Sequence, residues 1–130
     1  VPENSYVAIH DGVRPLVSTS TIRRCFETAF TYGNAIPAIA PSDSVRIMTG
    51  QGNMAVNRQY VKLIQTPQVF RTDLIKKACQ QKYAPDITDD AMLLEKTGVE
   101  IVIVEGNREN IKITNPEDLL IAGLLLQSVS

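Results

Sequence analysis

The stretch YVAIHDGVRPLVSTSTIRRCFETAFTYGNAIPAIA, residues 6–40, joins two apolar runs through one helical pattern. Residues 6–10 carry the consecutive apolar side chains of a short buried strand, which stops at an Asp-Gly turn. Apolar residues then recur every three or four positions as far as Gly33, which ends a helix, and residues 35–40 form a second apolar run. A strand, a helix and a strand in this order predict an α/β fold with a largely parallel sheet.

Beyond residue 60 the same alternation of strands and helices continues. The last helical pattern, residues 119–126, is apolar almost all round, which predicts a buried helix. Asn115, followed by a proline and two acids, is a strong capping signal for its start. The remaining predicted elements are strands over residues 62–66, 100–105 and 110–114, a helix that begins at Thr72, and a helix from Thr88 to Leu94.

Residues 42–60 have a different pattern from the strands around them. Val45, Ile47, Met54 and Val56 alternate with polar residues, and a Gly-Gln-Gly-Asn turn separates the two halves. This pattern predicts a β-hairpin. Because a two-stranded hairpin is marginal on its own, we expect it either to pack on the body of the protein or to reach a partner subunit.

Length and charge limit the classes of function open to the chain. It has 130 residues, enough for one domain, and its 13 basic and 14 acidic side chains give a net charge of −1. The charge balance argues against a nucleic-acid partner, and the lack of an apolar run of about 18 residues argues against a membrane span. Cys25 and Cys79 lie in apolar helical patterns, which predicts two reduced core thiols in a cytoplasmic protein. Because the chain begins with Val1 rather than methionine, we expect a piece of a longer protein.

The residues that follow the first strand are candidates for ligand binding, because open α/β sheets bind ligands beyond the carboxyl ends of their strands. Asp11 and Arg14 stand at that place, and Gly12 between them permits a close approach of a ligand or of the backbone. The alternative is an ordinary Asp-Gly turn with Arg14 as a surface charge.

Two residues in the predicted strands, Thr66 and Lys112, are candidates for contacts with a phosphorylated ligand. Pro67 holds Thr66 extended, so that its hydroxyl can face a cleft, although Thr-Pro pairs are common in loops. Alternation over residues 110–114 places Lys112 on the polar face, where an ammonium can neutralise a phosphate. A lysine that protects an edge strand from aggregation has the same pattern.

Two further candidates come from the hairpin and from a helix start. Arg58 ends the hairpin, and its guanidinium suits either a phosphate or a solvated rim. Thr88 precedes Asp89 and Asp90 at a helix start, where free backbone N–H groups suit either anion recognition or simple capping. No nucleophile paired with a base is visible, so the candidates favour charge stabilisation around phosphates over covalent or acid–base catalysis.

Short blocks of these candidate residues occur in a fixed order along nearly the whole chain. They are HDGVRP at 10–15, DS at 43–44, QTPQVF at 65–70, TDDA at 88–91, VEG at 104–106, and NIKIT at 110–114 followed by PEDL at 116–119. In this order they resemble the C-terminal half of the 2-C-methyl-D-erythritol 4-phosphate cytidylyltransferase family. The resemblance implies a Rossmann-like nucleotidyltransferase sheet with an extended β-hairpin dimerisation arm at residues 42–60. It also implies a homodimer that transfers CMP from CTP to a sugar-alcohol phosphate, with Mg²⁺ bound mainly to the nucleotide.

The resemblance implies a role for each candidate residue. Asp11 is expected beside the nucleotide phosphates and the metal, and Gly12 beside the nucleotide. Arg58, which would cross to the other subunit on the arm, and Lys112 are expected to hold the phosphate of the polyol substrate for attack on the α-phosphate of CTP. The implied polyol-binding residues are Thr66 and Thr88, with Arg14 and Ser44 as further contacts.

The chain departs from the family pattern in two mild ways and one large one. Gly12 stands where the family usually has alanine, and Ser44 where it usually has threonine, and neither change removes a charge. The family's Gly-rich N-terminal loop has no counterpart here, so we expect a fragment that is inactive alone and associates through an exposed sheet edge. A ribitol phosphate cytidylyltransferase and a non-catalytic α/β dimerisation module are the alternatives that the sequence leaves open.

Overall fold

The elements of the structure, a computed structural model that describes residues 4–80 and 89–129, follow the predicted alternation of strands and helices. The first strand, helix and second strand confirm the unit predicted from residues 6–40. In chain order the elements are β1 (Tyr6–Ile9), α1 (Thr19–Tyr32), β2 (Asn34–Ile39), β3 (Val45–Thr49), β4 (Gly52–Val56), a 3₁₀ turn (Arg58–Tyr60), β5 (Leu63–Ile64), β6 (Gln68–Arg71), α2 (Thr72–Cys79), α3 (Asp90–Glu95), β7 (Ile103–Glu105) and α4 (Pro116–Leu125).

Both ends of α1 are fixed by caps, and the sequence analysis predicts the one at Gly33. The Ser18 side chain accepts a hydrogen bond from the Thr21 N–H, which satisfies a donor in the first turn. Gly33 has a φ of 92° and donates its N–H to the carbonyl of Ala29. A left-handed backbone of this kind favours glycine, so the chain turns there directly into β2.

The central sheet is mixed, so the prediction of a largely parallel sheet is wrong. Strand β6 pairs antiparallel with both β1 and β2, and β5 also runs antiparallel to β2. Within the described residues, only β2 and β7 pair in parallel. The chain does not leave the sheet after β5. It passes the cis peptide bond between Thr66 and Pro67 and continues as β6 between β1 and β2, a strand that the sequence analysis missed.

Three predicted strands are shortened or absent. Residues 62–66 form only β5, residues 100–105 form only β7, and residues 110–114 are not paired as a strand. Their backbone is used differently, since the Ile113 N–H donates to the carbonyl of Val13 and the N–H groups of residues 110 and 111 close local turns. The alternation in exposure nevertheless survives, with Lys112 exposed between two half-buried isoleucines.

The core lies on both faces of the sheet. Ile36 and Phe70 pack with Leu94 of α3 in one apolar cluster. Their neighbours Ala35 and Val69 pack with Cys25 and Ala29 of α1 in a second cluster. Because successive residues of a strand point to opposite faces, the two clusters place α1 on one side of the sheet and α2 with α3 on the other.

Helix α4 is exposed, so the prediction that the last helix is buried is wrong for the described residues. Its capping box is confirmed, since the side chains and backbones of Asn115 and Asp118 bond reciprocally. Leu120 and Leu124 are 74% and 80% exposed, and only Ala122 is buried. An apolar helix requires a covering surface, and the described ranges supply none for most of this one. None of the described helices is long and apolar enough to cross a membrane.

The hairpin predicted over residues 42–60 is present, with β3 paired to β4 in a separate two-stranded sheet. At its base, the Arg58 guanidinium donates to the carbonyl of Ser42 over 2.7 Å. Ile47, Met48 and Met54 are each more than half exposed. The described part of the chain therefore leaves the apolar surface of this hairpin in contact with solvent.

The two cysteines differ, so the prediction of two core thiols is correct for only one. Cys25 is buried in α1, and burial raises the pKa of its thiol from 9.0 to about 11, which makes it unreactive. Cys79, the last residue of α2, is exposed, whereas its neighbour Ala78 joins the core cluster. Neither thiol forms a disulfide within the described residues, and the prediction that both are reduced stays a prediction.

Two glycine-to-alanine changes should have opposite effects on stability. Gly33→Ala forces an alanine into a left-handed backbone, and its Cβ lies 3.1 Å from Leu74. The free energy of unfolding should therefore fall by about 1–2 kcal/mol. The matched control, Gly123→Ala, adds a methyl group to α4 with no atom within 4 Å. It should raise the free energy of unfolding by about 0.5–1 kcal/mol. Urea denaturation followed by circular dichroism measures both, and a shift of the same sign in the two variants would contradict this account.

Candidate functional site

A pocket of about 240 Å³ opens where β1 ends, beside the junction of β5 and β6 and the start of α3. It brings together four of the residues predicted from sequence: Asp11, Arg14, Thr66 and Lys112. These residues come from distant segments, since 55 positions separate Asp11 from Thr66 and 96 separate Arg14 from Asn110, which lies close to Lys112 in sequence. The other lining residues are Ile9, Ile64, Gln65, Gln68, Asp89 and Asp90.

Arg14 is the fixed cation of the pocket. Its Nε lies 3.0 Å from a carboxylate oxygen of Asp11, and its side chain is only 12% exposed. The remaining guanidinium nitrogens donate to the carbonyls of Asn110, over 2.9 Å, and Ile64, over 3.4 Å. Arg14 is therefore not the free surface charge of the alternative interpretation, because it joins three segments of the pocket wall.

The Thr66 hydroxyl is held at the pocket by two neighbours on the β1 side. Its Oγ1 accepts a hydrogen bond from the backbone N–H of Asp11 over 2.9 Å. The same oxygen lies 2.9 Å from Nδ1 of His10. Thr66 lines the pocket, as the prediction requires, and its role towards a ligand stays a prediction.

Gln65 and Asn110 support Thr66 from behind, and the sequence analysis missed both. The buried Asn110 amide donates to the carbonyl of Thr66 over 2.9 Å and to the Gln65 side chain over 3.2 Å. The Gln65 amide in turn donates to the carbonyl of Asn107 over 3.0 Å. Gly106 completes this support, because a Cβ at that position would collide with the Gln65 side chain. The sequence offered one signal for them, because Gln65 and Asn110 are the first residues of QTPQVF and NIKIT, two of the blocks on which the family resemblance rests.

The acidic side of the pocket lies at the start of α3. The Asp89 side chain caps α3 by accepting from the Met92 N–H over 2.8 Å, which supports the simple capping interpretation. Burial, followed by the negative charges of Asp89 and Asp11, raises the pKa of Asp90 above its ordinary value of 3.8. Thr88, the predicted ligand-binding residue beside them, lies outside the described residues.

Charge balance restricts the ligands that the pocket can take. Among the described residues, three carboxylates, those of Asp11, Asp89 and Asp90, line it together with two cations, Arg14 and Lys112. Lys112 makes no hydrogen bond or ion pair with the described part of the chain, so its ammonium is available to a ligand. Such a pocket favours a ligand that presents one anionic group to the lysine and hydroxyls or a bound cation to the carboxylates.

The remaining predicted site residues lie apart from this pocket. Arg58 and Ser44 are exposed at the base of the hairpin and do not line it. Gly12 lies in the turn after β1, where an added Cβ would meet no atom within 4 Å. The geometry therefore leaves room at position 12 for the alanine that the resemblance leads us to expect there. The roles assigned to Arg58, Ser44 and Gly12 stay predictions.

The fold and the pocket define an α/β protein with a charged site at the carboxyl end of its first strand. The family model of 2-C-methyl-D-erythritol 4-phosphate cytidylyltransferase (IspD) matches residues 1–128. The chain therefore belongs to this family.

Curated relatives and solved structures of the family resemble the chain closely. The cytidylyltransferase of Bacteroides fragilis is 52% identical over 120 residues, which cover 92% of this chain and 55% of the relative. The cytidylyltransferase of Porphyromonas gingivalis is 43% identical over 129 residues, which cover 98% of this chain and 58% of the relative. The crystal structure of 4-diphosphocytidyl-2C-methyl-D-erythritol synthase from Anaerococcus prevotii has a TM-score of 0.84 at 32% identity, covering 98% of this chain and 59% of that one. The crystal structure of the 2-C-methyl-D-erythritol 4-phosphate cytidylyltransferase from Thermus thermophilus has a TM-score of 0.80 at 34% identity. The match covers 94% of this chain and 62% of that one.

The chain spans a little over half the length of the curated relatives that it matches. Its membership of the family confirms the predicted nucleotidyltransferase fold class. That the matching part is the C-terminal half stays a prediction.

Stability should depend on pH through Asp90. The pKa of Asp90 is higher in the folded protein than in the unfolded chain, so folding is less favourable when Asp90 is ionised. This loss of stability is complete above the raised pKa of the folded state and disappears below the ordinary value of 3.8. Asp90→Asn should therefore raise the urea midpoint at neutral pH, and the gain should shrink towards zero as the pH falls below 3.8.

Asp118→Asn is the control of opposite sign. Hydrogen bonds from the Thr114 N–H and hydroxyl lower the pKa of Asp118 in the folded protein. The ionised Asp118 therefore stabilises the fold above pH 3.8, and this stabilisation is lost as the pH falls through the lowered pKa. This variant should be less stable than the parent at neutral pH, with a difference that fades in acid. Parallel pH profiles for the two variants would contradict the assignment of both carboxylates.

Proposed function

We propose that the chain, together with the rest of the relatives' length, transfers CMP from CTP to 2-C-methyl-D-erythritol 4-phosphate and releases pyrophosphate. The family match over residues 1–128 supports the reaction. The observation that carries the proposal to this chain is the pocket that Lys112 lines together with Asp11 and Thr66, in which Lys112 has no partner among the described residues. Because the chain covers 55% of the B. fragilis enzyme, the proposed activity is that of a protein as long as this relative and not of the chain alone.

The proposed chemistry is an in-line displacement at phosphorus. A phosphate oxygen of the polyol substrate forms a bond to the α-phosphorus of CTP, the bond from that phosphorus to the bridging oxygen breaks, and pyrophosphate leaves with its electron pair. The nucleophile is already an anion, so no protein base is needed, in keeping with the lack of a nucleophile–base pair in the sequence. The work of the protein is to orient the two phosphates and to stabilise charge on them.

Lys112 is the proposed phosphate ligand within this chain. The Arg14 guanidinium is committed to Asp11 and to two carbonyls, so it serves the shape of the pocket. Lys112 is exposed and lines the pocket, and a compact ammonium can follow the phosphate as negative charge moves during transfer. Thr66 lines the same pocket, and its hydroxyl suits the hydroxyls of the polyol.

Mg²⁺ is proposed to enter with the nucleotide. The described residues contain no group of three or more His, Cys, Asp or Glu side chains arranged to hold a metal ion by themselves. Mg²⁺ commonly keeps several waters and binds through one or two carboxylates together with substrate phosphates. Asp11, in the pocket wall, is the proposed carboxylate ligand, and the bound cation would supply charge neutralisation on the CTP phosphates.

The hairpin is proposed to form the contact between two subunits of a homodimer. Its exposed Ile47, Met48 and Met54 are an apolar surface that the described part of the chain does not cover. Arg58 at its base is proposed to complete the pocket of the other subunit, with Ser44 as a further contact there. The cytoplasm is the proposed location, since Cys25 and Cys79 are both free thiols.

Replacement of Lys112 tests the proposed function. We would join the chain to the part of the B. fragilis enzyme that it does not match and measure pyrophosphate release with CTP, Mg²⁺ and methylerythritol phosphate. Lys112→Met should reduce kcat/KM by about 10²–10³-fold, since it removes a charge that stabilises the transferring phosphates. Lys77→Met, a matched change on the exposed surface of α2, should leave activity unchanged.

Substrate choice in the same assay decides between the families that the sequence left open. Release with ribitol phosphate in place of methylerythritol phosphate would move the proposal to the ribitol enzyme. An unmodified protein that releases pyrophosphate with neither substrate would reject the proposed function and favour a non-catalytic dimerisation module.

Mixing two inactive variants tests the proposed crossing of Arg58. The Arg58→Ala variant lacks the arginine and the Lys112→Met variant lacks the lysine. If Arg58 acts on the other subunit, a heterodimer of the two variants contains one pocket in which Lys112 of one subunit meets Arg58 of its partner. Dissociating and reassociating an equal mixture should then restore about a quarter of the native activity, given random pairing in a two-fold dimer. Arg58 acting within its own subunit predicts no recovery, and that result would reject the proposed arm.

A further inference from the structure

His10 connects two parts of the pocket wall through the two nitrogens of its ring. Its Nε2 lies 2.8 Å from the carbonyl oxygen of Arg14, and its Nδ1 lies 2.9 Å from Oγ1 of Thr66. His10 itself is exposed and does not line the pocket, whereas Thr66 does. Any effect of His10 on a ligand would therefore be exerted through Thr66.

The proton positions in this chain of contacts follow from what each group can donate. A carbonyl oxygen only accepts, so Nε2 must carry the hydrogen in its contact with Arg14. In the neutral imidazole the other nitrogen, Nδ1, is then an acceptor, and Thr66 must donate its hydroxyl proton to it. The Asp11 N–H already donates to the same hydroxyl oxygen. The proton and one lone pair of Oγ1 are thereby used, and within residues 4–80 and 89–129 the second lone pair has no partner, so it can accept a hydrogen bond from a ligand.

We propose that His10 is a positioning residue that fixes the Thr66 hydroxyl as a hydrogen-bond acceptor towards the pocket. This proposal rests on the proposed function and specifies which part of the substrate Thr66 meets. A phosphate oxygen has no proton to give at the pH of the reaction and cannot use the remaining lone pair. A hydroxyl group of the polyol can. Thr66 therefore selects a hydroxyl at its end of the pocket, and the phosphate is directed to Lys112.

Two substitutions at His10 separate this role from simple structural support. Asn places its carbonyl oxygen near the position of Nδ1 and keeps an acceptor for Thr66. Gln places its amide nitrogen near the position of Nε2 and keeps the donor to Arg14, but it loses that acceptor. The proposal predicts that His10→Asn preserves the hydroxyl direction and His10→Gln does not.

The first measurement requires no activity. Two-bond ¹H–¹⁵N correlation spectra of the unmodified chain, recorded where the imidazole is neutral, report which ring nitrogen carries the proton. We expect the Nε2–H form, and in Thr66→Val we expect a change in the Nδ1 shift as its donor is lost. An Nδ1–H form would overturn the proposal, because Thr66 would then accept from His10 and be free to donate to a phosphate.

The second measurement is the division of the kinetic effect between substrates, in the protein joined to the remainder of the B. fragilis enzyme. His10→Gln should raise KM for methylerythritol phosphate about tenfold, the equivalent of one lost hydrogen bond, while kcat and KM for CTP change less than about threefold. His10→Asn should restore most of the loss. In a Thr66→Val background, His10→Gln should add little, because it acts through the missing hydroxyl.

Each kinetic outcome decides the proposal. Equal losses in His10→Asn and His10→Gln, or equal increases in KM for both substrates, would show that the ring only supports the loop and would overturn the positioning role. If the unmodified protein transfers CMP to no polyol phosphate, the proposed function fails and the selection of a polyol fails with it. The spectra still decide the direction of the Thr66 hydroxyl in that case, so the two failures are distinguishable.

Discussion

The Arg14 guanidinium is the interaction on which the pocket depends. It binds the Asp11 carboxylate after β1, the carbonyl of Ile64 at the end of β5, and the carbonyl of Asn110 after β7. These segments are distant in sequence, and few backbone hydrogen bonds join them. A planar cation with several donors can hold all three at once, and its low exposure strengthens each contact.

This use of Arg14 as a structural cation decides how the other charges can act. With its donors committed to the pocket wall, the guanidinium neutralises Asp11 and leaves Lys112 as the described pocket cation that is open to a ligand. Asp89 is occupied with the first turn of α3, and the raised pKa of Asp90 shows that further negative charge is unfavourable there. We therefore propose that Lys112 receives the anionic group of a ligand and that the carboxylates receive its hydroxyls or a bound cation.

Local pattern predicted the parts of the fold that depend on neighbours in sequence. The caps of α1 and α4 and the hairpin turn are set by nearby residues, and the rule that ligands bind at strand ends led to Asp11, which the structure places in the pocket lining. The role of Asp11 in ligand binding stays a prediction. The order of strands could not be found this way, because whether β6 enters between β1 and β2 depends on partners that lie far along the chain. The apolar pattern of α4 likewise states that the helix requires cover without stating which surface supplies it. Gln65 and Asn110 were missed because a buried amide network has no sequence period.

The most direct test of the account is a crystal structure of the protein, joined to the unmatched part of the B. fragilis enzyme, with 4-diphosphocytidyl-2C-methyl-D-erythritol bound. We predict the diphosphate next to Lys112, a polyol hydroxyl within hydrogen-bond distance of Thr66 Oγ1, and no direct contact between the ligand and the Arg14 guanidinium. A ligand bound elsewhere, or a diphosphate held by Arg14 after its bond to Asp11 has broken, would contradict the account.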